Sequence, residues 1–238
     1  MSSLAPARGA SELIATFAVT PHAGAGYDAA RRTAEARLAA ARAVLTSPRD
    51  IAQAARRALA AYGPALRGAF AAATSLAAVA AMREDAAVIG AVLAAREGDR
   101  CDDAAMVDAI AAGREVAARV RGAVAFDAAW DVEAIADRMG AAVALARLRR
   151  LTPEQSRHAL GLAATQAAGL GVAEAAEAGW LGRGKAAFDA VEGAALARAG
   201  FTAAAASLEG RRGLFALTAH GCDDAALLGA LGERWISA

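Results

Sequence analysis

An all-α fold is predicted by three observations. Apolar residues recur at helical spacing from residue 27 to residue 199. Strand-like alternation over four or more residues is missing, and β-branched residues are sparse. Helix-start and helix-stop signals punctuate the chain in the order that a multi-helix bundle needs. More than about 60 per cent helix and no sheet beyond a stray bridge are expected, against the third usual for globular proteins. No repeat of fixed period and no linker stands out, so residues 1–238 read as one helical domain.

Taken in order, Ser11-Glu12 starts a short helix carrying Leu13, Ile14 and Phe17, and residues 20–26 form a loop with Pro21 and two glycines. Residues 27–46 make a helix in which Arg31, Arg32, Glu35 and Arg42 alternate with Leu38, Val44 and Leu45. Ser47-Pro48 starts another by the cap-plus-proline device, Gly63-Pro64 breaks it, and residues 65–82 are apolar on most sides. Helices follow over 85–97 and, after an acidic cap, over 103–125, where Met106, Ile110, Val116 and Val120 share a stripe. The next runs from Trp130 to the basic pair Arg149-Arg150, which suits a helix C-terminus. Thr152, Pro153 and Gln155 then form a capping box with proline at the first helical position. Small residues fill the helix behind it, including Ala159, Gly161, Ala163, Ala164, Ala167 and Gly169. Gly179–Gly184 reads as a short break, followed by a helix over 185–199 that Gly200 ends. A last helix spans 223–231.

Hydrophobic residues make up 57 per cent of the chain, but alanine supplies most of them and aromatics only 5 per cent. Each buried CH2 contributes about 0.8 kcal/mol, so alanine helices must pack closely or bury a further face against a partner. A net charge of +1 without a basic stripe argues against nucleic acid. The longest uncharged runs, 68–82 and 158–173, fall short of a membrane span. Cys101 and Cys222 cannot build a disulfide framework, and no signal peptide is visible, so a soluble cytoplasmic protein with free thiols is expected. His22, His158 and His220 show no metal-ligand spacing, and neither a nucleophile elbow nor a phosphate-binding glycine loop is present. No metal and no cofactor are expected.

Four segments in order, AIAAGREVAARV (109–120), ALGLAATQAAGL (159–170), GKAAFDAVEGAALARAGFT (184–202) and LEGRRGLF (208–215), resemble the MmgE/PrpD family, the relatives of 2-methylcitrate dehydratase and cis-aconitate decarboxylase. The resemblance implies the family's N-terminal helical domain, a dimer, and chemistry on small di- and tricarboxylic acids. It also locates departures. Where the family carries an Asp-Asp-Thr-His-like segment, this chain reads Met82-Arg83-Glu84-Asp85, with Asp85 as a remnant. Where a family histidine stands before the helix at Trp130, it reads Phe126-Asp127-Ala128-Ala129. The family's Thr-Lys-Pro-Leu-His-Ala-Gly-Arg turn becomes Ala178-Gly179-Trp180-Leu181-Gly182-Arg183-Gly184-Lys185, keeping only the final cation. The family's closing α+β domain has no room in residues 216–238.

No catalytic residue can therefore be named. Arg183, Lys185 and Asp85 remain as candidates for holding an anion. Arg183 and Lys185 stand before an expected helix start, where a cation and the helix N-terminus together suit a carboxylate; the same residues also fit a capped turn with two solvated charges. Three readings stay open. The first is a non-catalytic member of the family that self-associates or pairs with a related subunit. The second is a lyase or isomerase with a rebuilt site for a small di- or tricarboxylic acid. The third is a helical interaction module whose likeness to the family is compositional.

Overall fold

The computed structural model describes residues 9–46, 84–99, 101–172 and 177–238. Helices make up 69 per cent of these residues. In chain order they are α1 (Ala10–Val19), α2 (Ala25–Thr46), α3 (Ala86–Asp99), α4 (Asp103–Ala123), α5 (Val132–Leu148), α6 (Pro153–Thr165), α7 (Glu177–Arg198), α8 (Leu214–Thr218) and α9 (Asp224–Leu228). The helices expected from Ser47-Pro48 and over 65–82, with Met82 and Arg83, lie outside the described residues.

Side-chain caps start the helices that the sequence marks. Asp102 accepts from the Ala105 amide, Asp131 from Ala134 and Asp223 from Ala226, while Thr152 and Gln155 form the full capping box. The packed centre is the α4–α5 pair, flanked by α3 and α7. Gly113, Gly140 and Val88 meet where α3, α4 and α5 come together. Around them, Ile89, Met106, Ile110, Ile135, Met139 and Leu145 are fully buried among alanines. Close approach is how an alanine core gains contact area, since each small side chain gives little by itself.

Two expectations need correcting. A two-stranded antiparallel ladder, β1 (Val124–Phe126) with β2 (Ala219–Cys222), closes one end of the fold. Its strands are too short to show alternation, and the pairing is fixed by long-range main-chain bonds such as Asp223 N–H to Ala123 O at 2.8 Å. The break between the central helices also lies earlier than expected. α6 ends at Thr165, and Gly169 turns the chain with φ +135°. Residues 169–171 then pair with residues 129–131, through Asp131 N–H to Gly169 O at 3.1 Å and Gly171 N–H to Ala129 O at 2.8 Å. A Cβ on Gly171 would stand 2.5 Å from the Ala128 carbonyl, so the small residues there serve a backbone approach rather than a helix face. Gly179–Gly184, expected as a break, is helical within α7.

Candidate functional site

The three places where family site residues are expected gather around the N-terminal half of α5. Asp85 immediately precedes α3 with φ 64°, and its carbonyl accepts the Ile89 amide. Its buried carboxylate turns away from the helix and receives Arg114 Nε at 2.6 Å, with Arg37 Nε at 3.9 Å. The helix-start amide of Ala87 is served instead by Asp137 of α5, at 3.4 Å. Asp137 also receives Arg121 Nη2 at 3.2 Å, and Arg121 pairs with Glu133 at 2.8 Å. Burial, then the Asp85 charge, push the Asp137 carboxyl up to about 7.

On another side of α5, Arg138 is fully buried and donates from Nε to Asp189 of α7 at 3.2 Å. Lys185 pairs with the other oxygen of Asp189. Burial lowers the Arg138 pKa, and the charges of Asp189 and Asp131 oppose that shift. Neither Nη atom of Arg138 has a hydrogen-bond partner. A guanidinium engaged only through Nε keeps the paired donors that suit a planar carboxylate.

At the third place, Asp127 accepts the Ala129 amide at 2.8 Å and lies 3.3 Å from Nε2 of the exposed His220 on β2. Asp127 also donates its amide to Thr218 O, which sets this pair beside a cleft of about 510 Å³ lined by Trp130, Thr165, Arg212, Leu217 and Thr218. An imidazole thus stands next to the segment where the family histidine has no counterpart, contributed by a strand more than 90 residues further along the chain.

Arg183 and Lys185 are not at a helix start, which corrects that expectation: both lie well inside α7. Glycines 179, 182 and 184 do not stop the helix, and Gly182 packs towards Asp131, with its would-be Cβ 3.7 Å from Oδ2. Arg183 is buried, whereas the Lys185 side chain is nearly half exposed. No described contact joins Asp85 to Arg183 or Lys185. Asp137, Arg138 and Asp189 are fully buried charges that the sequence does not nominate as site residues, although Asp189 lies within the 184–202 segment. Their signal was present all the same: Asp137-Arg138 is the single polar interruption in residues 134–146.

Among the described residues, no group of three or more His, Cys, Asp or Glu side chains could hold a metal ion. No described helix is long and apolar enough to cross a membrane.

No curated protein matches the chain. The family model of the MmgE/PrpD N-terminal domain matches residues 73–225, a span that includes all three places around α5. Well over half of the sequence lies in that match and the described residues are predominantly helical, so the chain belongs to the MmgE/PrpD family.

Proposed function

We propose that this chain is a cytoplasmic family member that works by association, with itself or with a related subunit, rather than by turnover. One observation carries the reading: the charges standing where the family places site residues are engaged within the chain, Lys185 with Asp189 and Asp85 with Arg114. Side chains that hold one another in this way are engaged in structure rather than offered to a substrate. Exposed apolar side chains, Leu170 and Val172 after α6, Leu181 on α7 and Leu217 on α8, add support as surface that a second subunit would cover. Light scattering across a dilution series tests association, and a species at the 23.8 kDa chain mass at every concentration would defeat self-association.

A second reading, a lyase or isomerase with a rebuilt site for a small di- or tricarboxylic acid, is favoured by the His220–Asp127 pair and by the two Nη groups of Arg138. Proton exchange on candidate acids, followed by NMR, separates the two readings. Exchange that disappears in His220→Gln would establish the enzyme. Lys185 is the sole lysine of the chain, so a 13C-methyl label on it reports binding without turnover.

A further inference from the structure

Three residues within two turns of α4, Arg114, Glu115 and Arg119, are each more than nine-tenths buried. Glu115 and Arg119 pair with each other at 2.7 Å. Otherwise their described bonds, the Arg114–Asp85 contact excepted, end on main-chain atoms of residues 227–237. Glu115 accepts the amides of Ile236 at 2.9 Å and Ser237 at 3.0 Å. Arg119 donates to the carbonyls of Leu227, Gly229, Ala230 and Arg234 at 2.7–3.4 Å. Arg114 donates from Nη1 to Ser237 O at 3.0 Å while its Nε holds Asp85 at 2.6 Å. The charged half of the GREVAAR segment therefore grips a length of backbone, and the same guanidinium that touches Ser237 also fixes Asp85.

We propose that residues 227–237 form a strap whose docking on α4 positions Arg114 and, through it, Asp85, making the strap a conformational control on the candidate site. Two features give the arrangement its logic. The charged grip is on main chain, so it reads whether the segment is seated, while the buried Leu227 and Trp235 help to seat it; Ile236 is about half exposed although its amide is held. Glu115 and Arg119 have no other described partners beyond each other, so undocking leaves buried charges seeking water, and Arg114 is drawn outward with them. Asp85 then loses the cation nearest to it. The group that senses this is Asp137, which faces Asp85 from α5, Arg121 from α4, Glu133 on its own helix and the Ala87 amide of α3.

The test uses the full chain. Ile236→Pro removes the amide that Glu115 accepts, Ser237→Pro removes the next, and Ile236→Ala leaves the grip intact. Amide exchange at residues 227–237 reads docking, and carboxyl 13C NMR reads the titration of Asp137. Both proline variants should lose amide protection in the strap and move the Asp137 midpoint upward by about half a pH unit or more, as an uncompensated neighbouring carboxylate does. Ile236→Ala should do neither. A proline variant that frees the strap with the midpoint unmoved overturns the proposal, and so does one that keeps the strap protected. Loss of helical circular dichroism in both proline variants would mean that the strap cannot leave without unfolding the chain, and would overturn the proposal equally.

Discussion

Gly113 of α4 and Gly140 of α5 face one another so closely that a Cβ on either would come 2.6 or 2.5 Å from the other's carbonyl oxygen. Backbone touches backbone, with Val88 of α3 closing the third side. This is where an alanine-rich protein obtains tight packing, and it yields the first prediction. Gly140→Ala and Gly113→Ala should each destabilise by about 1–3 kcal/mol, because a carbonyl oxygen on a packed helix has nowhere to move. Gly122→Ala, near the end of α4 with open space at its Cβ, should instead be neutral or stabilising by up to about 1 kcal/mol. Urea denaturation of the three variants decides it; equal effects would mean that the helices do not cross at these glycines.

Asp189→Asn should be among the most damaging single changes in α7. It leaves the fully buried guanidinium of Arg138 without its carboxylate, a loss of about 3–5 kcal/mol for a broken buried pair. Lys185→Met removes the partly exposed cation from the same carboxylate, and the cost should be smaller, about 1 kcal/mol or less. A Lys185 variant as unstable as the Asp189 variant would reverse the assignment of which cation matters.

Stability should fall as the pH rises through neutrality because of Asp137. Its folded-state value of about 7 lies above the ordinary 3.8. A raised value means that the folded chain holds the proton more tightly than the unfolded one, so the contribution is full below about pH 4 and is lost as pH rises through about 7. The slope cannot exceed about 1.4 kcal/mol per pH unit for one proton. Asp137→Asn should flatten that part of the profile measured by urea midpoints; an unchanged slope would assign it to another group.

His22 should act in the opposite sense. Its ring packs against Phe17, Tyr27 and Trp235, and burial, followed by the Arg147 charge, holds its pKa below 6.5. Stability carried by the neutral ring is present above about 6.5 and is lost as pH falls through the lowered value. Proton NMR of the ring should give a midpoint below 6.5, moving upward in Arg147→Met as the like charge is removed. A midpoint that does not respond would show that Arg147 is not felt at the ring.

Much of the fold was legible because caps are local. Thr152 with Gln155, and Asp102 and Asp223 at their helices, need only the next three residues to act, so sequence alone locates them. What depends on distant backbone was not legible. Gly169 looks like part of a helix-packing face until residues 129–131 come alongside, and Gly182 looks like a breaker until Asp131 packs beside it. The site divides in the same way. The sequence nominates Asp85, Arg183 and Lys185, but the roles of Asp85 and Lys185 are set by Arg114 and Asp189, which lie 29 residues away in one case and one helical turn away in the other. The His220–Asp127 pair joins residues whose nearness depends on the β1–β2 ladder, so no local pattern announces it.

The carboxylate that satisfies the first turn of α3 belongs to a helix 50 residues later in the chain. Ordinarily a helix can begin from its own cap and wait for its neighbours. α3 has given that local start away, since the side chain of Asp85 is turned to Arg114. The Ala87 amide therefore gains this polar partner only once α5 is in place, so the beginning of α3 depends on α5 rather than on a local side-chain cap from Asp85. The early residues of α3 should accordingly acquire their protection from exchange late in refolding, together with the closing of the α3–α5 contact rather than with the formation of α3 itself.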